Sequence, residues 1–521
     1  MGAELGRSAL SEPEKTGAAR ADLAALARGG RINFFGFVLR LLARLPFLFI
    51  AGRMYGAEQL GRFAYAVLIV EFAAQLATLG LKRGLAQQLA KTDKPHVCVV
   101  ADALLVAALG SAVAMTLLAI FPQAMFPNSE IHGMEWALPI TVIALAWSDI
   151  CLAALAYRHD VASTVRARAI VEPWTISIAA FALWFISERD GLIIAYALSM
   201  VGALIASVIP FVKNYGAPHG WSPDPGTLWH LARRNLPVAA ADAVEWGSRR
   251  IDIAVLGLFF SPAIVGIYYV AQQVASLPSK LKTSFDPILG PVISRNLAEG
   301  DKAAVAKQVR QVGFWVIAAQ GGVALALGIP GEAVMGLVGA GFVAGTAALG
   351  FLLAAEVVAA TAAVSEAALI YCARHRNMAI SIAMILLEAG LAAGLIMLMR
   401  SWQWPIMWQA TGPAIALMLS LAFASIVKSR LLSGILRNPV SGWRWALIWA
   451  AGTAMIVGQL VILLPEWAEI LFGIPAILAA FGAVLWVKGF GHEDRELFRM
   501  KKEDIEELSL PDPGSSVEAP R

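Results

Sequence analysis

The chain has 521 residues, of which 59% are hydrophobic and only 15% are charged, and its net charge is +4. Soluble globular proteins contain about 45–50% apolar and about 25% charged residues. The composition therefore excludes an ordinary soluble enzyme, a disordered chain and a coiled coil, and it predicts an all-α integral membrane protein.

Apolar runs that could cross a bilayer recur along the whole chain. A transmembrane helix needs roughly 20 mostly apolar residues, and about 14 runs approach that length. The first half contains predicted spans at 32–52, 63–81, 97–121, 137–157, 169–187 and 191–212. The second half contains predicted spans at 236–260, 265–293, 311–331, 345–371, 378–399, 405–427, 445–464 and 467–487.

Three polar segments flank or connect these runs. Residues 1–31 lack the pattern of a signal peptide and are predicted to be a cytoplasmic tail. Residues 213–235 form a predicted cytoplasmic linker with a basic, Trp-bearing end. Residues 488–521 are predicted to be a second cytoplasmic tail, with a solvated amphipathic helix and a disordered end.

The basic residues set the predicted orientation, because cytoplasmic loops carry an excess of Lys and Arg. Only Arg53, Arg62, Arg189 and Arg400 fall in predicted outside loops, whereas most others fall inside or in the tails. This bias also argues that 236–260 crosses the membrane despite its charges. Both termini are thus expected in the cytoplasm.

The two halves of the chain show a weak internal repeat. A shift of 205 residues superposes Arg44 on Arg249, Gly52 on Gly257, Gly61 on Gly266 and Ala66 on Ala271. Transporters are often built from such repeats. The pattern predicts two six-helix lobes in parallel repeat, 32–212 and 236–427, followed by two extra helices at 445–487.

Four arginines lie inside predicted spans, where a lipid-exposed Arg costs about 2.5–3.5 kcal/mol; they are Arg40, Arg44, Arg249 and Arg250. Arg40 and Arg44 share one helical face, and no acid in their own span neutralises them. Because Arg binds phosphate oxygens through paired hydrogen bonds, these side chains are candidates for binding an anionic head group. Lys280 and Lys282 are weaker candidates, since interfacial anchoring also explains them.

The span 236–260 also carries acids. On a continuous helix, Asp242, Glu245, Arg249 and Asp252 share about 80° of arc, so this face is expected to neutralise itself. Arg250 points away from that face and is therefore the better anion ligand.

Intramembrane acids offer the competing interpretation that the arginines are held in ion pairs between helices. The acids inside spans that allow this are Glu71, Asp149, Glu172, Glu356, Glu366 and Glu388. Some acids could instead carry a coupling ion, and the candidates for either role are Glu71, Glu245, Asp252 and Glu366. Nothing implies a cofactor, a metal site or a disulfide, and no nucleotide-binding motif is present.

Three stretches resemble the polysaccharide flippases of the O-antigen translocase type, within the multidrug/oligosaccharidyl-lipid/polysaccharide (MOP) exporter superfamily. They are RINFFGFVLRLLARLPFLFIAGRMYGAEQLGRFAYA (31–66), RRIDIAVLGLFFSPAIVGIYYVAQQVASLP (249–278) and LVGAGFVAGTAALGFLL (337–353). The resemblance implies a two-lobed helical bundle that turns over an undecaprenyl-pyrophosphate-linked oligosaccharide by alternating access. It also implies cationic cavity residues, for which the four buried arginines fit by location.

Two other transporter functions remain open from the sequence. A peptidoglycan-precursor flippase has a similar plan, and so does a cation-coupled multidrug antiporter, although two arginines would repel its cationic cargo. A membrane glycosyltransferase or polymerase is disfavoured, since the outside loops are short and His132 stands alone there.

The expected setting follows from the resemblance. The protein is expected in a bacterial cytoplasmic membrane as a monomer. Its expected partners are membrane lipids, the lipid-linked oligosaccharide and polysaccharide polymerases or glycosyltransferases, but not nucleic acid.

Overall fold

The structure, a computed structural model, describes residues 45–283 and 286–491, and the side chains of 280–283, 286–289, 291 and 292 lie outside that description. Every regular element within these ranges is helical, and no strand occurs there. Nine helical stretches in the described ranges are long and apolar enough to cross a membrane. The chain is therefore a multi-pass, all-α membrane protein, as its composition predicts.

The described part of the first half, from residue 45 onward, contains eight α-helices, with π-helical turns at Ala51–Tyr55 and Arg166–Val171. The helices are α1 (45–50), α2 (Gly56–Ala77), α3 (Leu81–Leu89), α4 (His96–Ile120), α5 (Thr141–Tyr157), α6 (Val161–Val165), α7 (Glu172–Trp184) and α8 (Gly191–Tyr215).

Up to residue 491, the described residues of the second half form thirteen α-helices, several of them short. They are α9 (Pro225–Gly247), α10 (Ile251–Phe259), α11 (Pro262–Thr283), α12 (Asp286–Ala298), α13 (Lys302–Gly328), α14 (Gly331–Gly336), α15 (Thr346–Cys372), α16 (Arg374–Ser401), α17 (Ile406–Gln409), α18 (Gly412–Leu436), α19 (Trp445–Val461), α20 (Glu466–Ala468) and α21 (Ile474–Val484).

The connection between the first two predicted spans is helical rather than a loop. Gly56, at φ 77°, is the first residue of α2 and directly follows the π-helical turn. Glycine adopts this backbone conformation without the steric cost that a Cβ atom would add. The open loop that the polar residues at 53–62 predicted is therefore absent, and residues 45–77 are helical throughout.

The predicted linker 213–235 is also partly helical, because α9 begins at Pro225. Asp224 caps α9 by accepting a 2.8 Å hydrogen bond from the Thr227 backbone amide. Hydrogen bonds from the side chain and backbone of Thr227 hold the pKa of Asp224 below its usual value. An ionised carboxylate at a helix N-terminus satisfies free amides and favours the helix dipole.

The predicted span 236–260 is interrupted. α9 ends at Gly247, α10 begins at Ile251, and residues 248–250 form a turn between them. We call this turn the helix break. Its position determines where Arg249 and Arg250 lie.

The hydrophobic core is divided into three clusters. One joins both halves of the chain and includes Leu60 and Val265. A second belongs to α3, α4, α5 and α8 of the first half and includes Leu85, while a third belongs to the second half and includes Phe314. Among the described residues the second and third clusters share no member. The two halves thus share a core at one end of the bundle and have separate cores at the other.

The halves meet most closely where α2 crosses α11. A Cβ atom on Gly61 would lie 1.7 Å from the carbonyl oxygen of Pro262, and one on Gly266 would lie 2.0 Å from that of Ala57. Only residues without a side chain permit this approach. The contact is reciprocal, because the shift of 205 residues relates Ala57 to Pro262 as it relates Gly61 to Gly266.

Candidate functional site

Arg249 and Arg250 occupy the helix break between α9 and α10. Arg249 is exposed and has no ion-pair partner among residues 45–283 and 286–491. The side chain of Arg250 is 41% exposed and donates to the Glu71 carboxylate of α2 at 2.7 Å. The helix break thus carries two adjacent arginines, of which Arg250 is paired with a carboxylate.

Aromatic rings surround the Arg250 side chain. Its guanidinium carbon lies 5.4 Å from the centroid of the Trp246 ring, and the Phe72 ring lies 4.8 Å from the same ring. A cation over the face of a tryptophan ring is favoured electrostatically. Trp246 and Glu71 thus hold Arg250 from two helices, α9 and α2.

The self-neutralising face predicted for this span is wrong. Asp242 and Glu245 both pair with Arg83 of α3, at 3.0 and 2.6 Å, and not with Arg249. The prediction assumed a continuous helix with 100° per residue. Because α9 ends at Gly247, the residues after the helix break no longer follow that angular spacing. As a result Asp252 lies apart from the other two acids.

Asp252 and Glu388 form a buried pair of carboxyl groups. Both residues are 0% exposed. Asp252 accepts hydrogen bonds from the Tyr268 hydroxyl at 2.9 Å and from the Gln272 amide at 2.9 and 3.1 Å. The Glu388 carboxyl lies beside the side chain and the backbone amide of Asp252.

No arginine neutralises this carboxyl pair in the described part of the chain. The sequence identified Glu388 only as a possible ion-pair partner of an arginine, so its proximity to Asp252 was missed. Its isolation within the apolar run of α16 was a signal, but the pairing depends on how α16 packs against α10. Buried ionisable groups within a membrane span are functional candidates by default.

Glu366 is in an ion pair. Its carboxylate lies 3.2 Å from the Lys428 amine and accepts a 3.2 Å hydrogen bond from Asn377. Lys428 also donates to Ser381 at 3.0 Å, and its side chain is 4% exposed. The sequence had placed Lys428 in a loop, whereas it is a buried residue of α18.

A second ion-pair network crosses the first half. Arg168, in the π-helical turn, pairs with Asp149 and with Glu172, the latter at 2.9 Å, and Lys82 lies 3.0 Å from Asp149. Asp149 and Glu172, which were both considered as partners for the buried arginines, are therefore paired with other cations.

A third network anchors the loop 121–140, which contains the segment 122–136 that the sequence predicted to lie outside. Glu135 is 1% exposed and accepts from both Arg62 and Arg189. The same loop reaches the second half, since Asn128 donates to the carbonyl oxygens of Gly257 and Phe260 at 2.8 and 2.9 Å. Nothing in the sequence pattern indicated this bridge.

Four of the predicted anion ligands cannot be located. Arg40 and Arg44 lie outside the described residues, and the side chains of Lys280 and Lys282 lie outside the description. No cluster of three or more metal-ligating side chains occurs in the described ranges.

Comparison with known protein families assigns the chain to a family. A family model described as polysaccharide biosynthesis protein matches residues 50–318, more than half of the chain. The chain belongs to this polysaccharide biosynthesis protein family. No curated protein gives a significant match.

Solved structures share the fold of this polysaccharide biosynthesis family member. An inward-facing multidrug resistance MATE family transporter of the MOP superfamily is 14% identical, with a TM-score of 0.61 over 77% of this chain and 99% of the transporter. The lipid II flippase MurJ in an inward closed conformation is 12% identical, with a TM-score of 0.58 over 88% of this chain and 97% of the flippase. A MOP superfamily transporter from Pyrococcus furiosus is 15% identical, with a TM-score of 0.51 over 80% of this chain and 95% of that one.

The family match and the shared fold together confirm the resemblance to the polysaccharide flippase family of the MOP superfamily. At such low sequence identity the solved structures establish only the shared fold. The match begins within the first described helix and includes the helix break with both of its arginines.

Proposed function

We propose that the protein is a flippase that moves an undecaprenyl-pyrophosphate-linked oligosaccharide from the cytoplasmic to the outer leaflet, for O-antigen or exopolysaccharide synthesis. The family match and the transporter fold support a flippase. The observation that carries the choice of cargo is the positive charge at the helix break, where Arg250 pairs with Glu71 and the neighbouring Arg249 is exposed.

The chemistry of this position suits a phosphate-bearing head group. A guanidinium group binds phosphate oxygens through two parallel, charge-assisted hydrogen bonds. Arg249 is exposed and Arg250 is 41% exposed, so both are accessible to a ligand between the halves. Arg40, Arg44, Lys280 and Lys282 belong to the same proposal by sequence. The lipid tail would stay in the bilayer.

Alternating access is the proposed mechanism. The two halves share a core at the end where α2 crosses α11, and they have separate cores at the other end. Given the predicted orientation, the shared core lies on the outer side. This arrangement supports a state that is closed outside and open toward the cytoplasm.

The proposed topology has fourteen spans in two six-helix lobes in parallel repeat, plus two C-terminal helices. The reciprocal contact of Gly61 and Gly266 supports the repeat, because the same two residues are superposed by the 205-residue shift. We also propose a bacterial inner-membrane location with both termini in the cytoplasm, a monomeric state, and polymerase or glycosyltransferase partners.

Ion coupling is assigned to Asp252 rather than to Glu71, Glu245 or Glu366. The latter three acids each lie within 3.2 Å of a cationic side chain, whereas Asp252 lies beside a second acid, Glu388, and is bound by neutral donors. Two buried carboxyl groups in contact favour sharing a proton or binding a cation.

Reconstituted transport separates the candidate functions. Proteoliposomes containing the full chain would be given an undecaprenyl-pyrophosphate oligosaccharide, lipid II or a cationic dye. The proposal expects flipping of the first cargo and neither of the others. Flipping of lipid II alone would assign the protein to peptidoglycan synthesis, and efflux of the dye alone would make it an antiporter.

A further inference from the structure

Glu71 occupies the position where cargo is proposed to bind. Its side chain is 29% exposed, and its 2.7 Å contact with Arg250 joins α2 to the helix break. Arg250 has only this one carboxylate partner among the described residues, and its neighbour Arg249 has none. The Glu71 carboxylate thus lies where an anionic ligand of Arg250 would lie.

Two buried or part-buried arginine networks of the first half differ from this pair. Arg62 and Glu135 are 7% and 1% exposed, and Arg168 is 23% exposed and held by two acids. Those pairs are buried or doubly held, so an incoming anion cannot easily replace the carboxylate. The Arg250–Glu71 pair is single and accessible from outside the protein.

We propose that Glu71 is a displaceable counter-ion of Arg250, which the phosphate of the cargo replaces on binding and which reclaims Arg250 when the cargo leaves. This inference rests on the proposed function. Phosphate and carboxylate oxygens compete for the same guanidinium donors, so both cannot be fully bound at once. Glu71 therefore weakens cargo binding and promotes release.

The exchange also connects binding to movement of the two halves. While Arg250 is paired with Glu71, α2 is held against the helix break. When an anion takes Arg250, that connection is released and Glu71 loses the cation with which it is paired. Rebinding of Glu71 then restores the contact as the anion departs. A ligand shifts a conformational equilibrium only by such a difference in contacts between states.

Substitution of the acid gives opposite results for a displaceable counter-ion and for a purely structural pair. Glu71→Gln removes the competitor, so the purified full chain is expected to bind inorganic pyrophosphate up to about fivefold more tightly than wild type, as expected for loss of one partly exposed ion pair. In proteoliposomes the same variant is expected to flip the lipid-linked glycan more slowly, because release is impaired. A structural pair would give unchanged or weaker binding and a lower unfolding temperature.

The second substitution tests whether Glu71 acts through Arg250. Arg250→Gln is expected to weaken pyrophosphate binding. In the Arg250→Gln background, adding Glu71→Gln is expected to leave the affinity for pyrophosphate unchanged. Glu299→Gln is the matched control, since it removes an exposed carboxylate that pairs with Arg295 far along the chain. Thermal unfolding and gel filtration verify that each variant is folded.

Titration calorimetry with inorganic pyrophosphate distinguishes failure of this inference from failure of the proposed function. If Arg250→Gln weakens binding but Glu71→Gln does not tighten it, or if tightening persists without Arg250, the counter-ion role is wrong and the anion site stands. If wild type binds pyrophosphate no better than Arg249→Gln/Arg250→Gln, both proposals are wrong.

Discussion

Gly61 of α2 and Gly266 of α11 lie backbone against backbone, and the contact is reciprocal. A Cβ atom on Gly61 would lie 2.6 Å from the Gly266 nitrogen, and one on Gly266 would lie 2.9 Å from the Gly61 nitrogen. These helices belong to different halves of the chain, which the repeat superposes at these two residues. The crossing is therefore the point where the halves are held most closely together.

Alanine at either position is expected to push the halves apart. The added methyl would overlap a carbonyl oxygen of the opposite helix, at 1.7 Å for Gly61 and 2.0 Å for Gly266. Overpacking of this kind costs about 1–3 kcal/mol. We expect Gly61→Ala and Gly266→Ala to lower the unfolding temperature and to increase labelling of outward-facing cysteine probes.

Gly350→Ala is the control for that prediction. Gly350 lies within α15 with nothing within 4 Å of a Cβ atom, so alanine there is expected to be neutral or stabilising by up to about 1 kcal/mol. If Gly350→Ala and Gly61→Ala change the unfolding temperature and the cysteine labelling equally, close packing at the crossing is not the cause of those changes.

Asn128 is expected to stabilise the contact between the two halves on the predicted outer side of the membrane. Its amide group donates to two carbonyl oxygens at the end of α10, which have no further helical turn to pair with. Leaving a buried acceptor without its donor costs about 1–3 kcal/mol. Asn128→Ala should increase access of membrane-impermeant thiol reagents to an engineered cysteine at Val265, which is 2% exposed, and Asn128→Asp should do so further by opposing acceptor to acceptor.

The exposed Asn214 provides a comparison, since its amide group bonds only to Pro210 of its own helix. Asn214→Ala is expected to leave cysteine access unchanged. If Asn128→Ala behaves like Asn214→Ala, the loop 121–140 does not hold the two halves together.

Removal of Glu366 is expected to destabilise the protein without acting on ion coupling. Lys428 is 3% exposed and would lose its carboxylate partner. Because Glu366 itself is 39% exposed, water would partly compensate, and we expect a loss of about 1–3 kcal/mol for Glu366→Gln. Thermal unfolding measures the loss, and Glu366→Gln/Lys428→Met should recover much of it. No recovery in the double variant would contradict an ion-pair origin.

Asp252→Asn is expected to leave unfolding nearly unchanged and to abolish stimulation of transport by an ion gradient. Asparagine retains the size of the side chain and an acceptor for Tyr268 and Gln272 but cannot ionise. The check is transport measured with and without an imposed proton or sodium gradient. Retained stimulation in Asp252→Asn would exclude Asp252 from coupling.

The sequence predicted the helical, membrane-spanning class because apolar composition is a property of the chain alone. It also predicted that Gly61 and Gly266 are equivalent, but their contact required the packing of the two halves. The helix break at 248–250 was missed, since helical periodicity assumes that the helix continues. Partners such as Asn128 and the Gly257 carbonyl, or Asp252 and Glu388, are distant in sequence and only tertiary packing brings them together.

The most direct measurement is the rate at which an undecaprenyl-pyrophosphate oligosaccharide becomes accessible at the opposite leaflet of proteoliposomes. Arg249→Gln/Arg250→Gln would be compared with wild type and with Arg233→Gln, a control that removes an exposed arginine of α9 outside the helix break. Loss of charge-assisted hydrogen bonds worth about 1.5–3 kcal/mol each predicts at least a roughly tenfold slower rate in the double variant and no change in the control. An unchanged rate in a folded, inserted double variant would contradict the proposal that these arginines bind the anionic cargo.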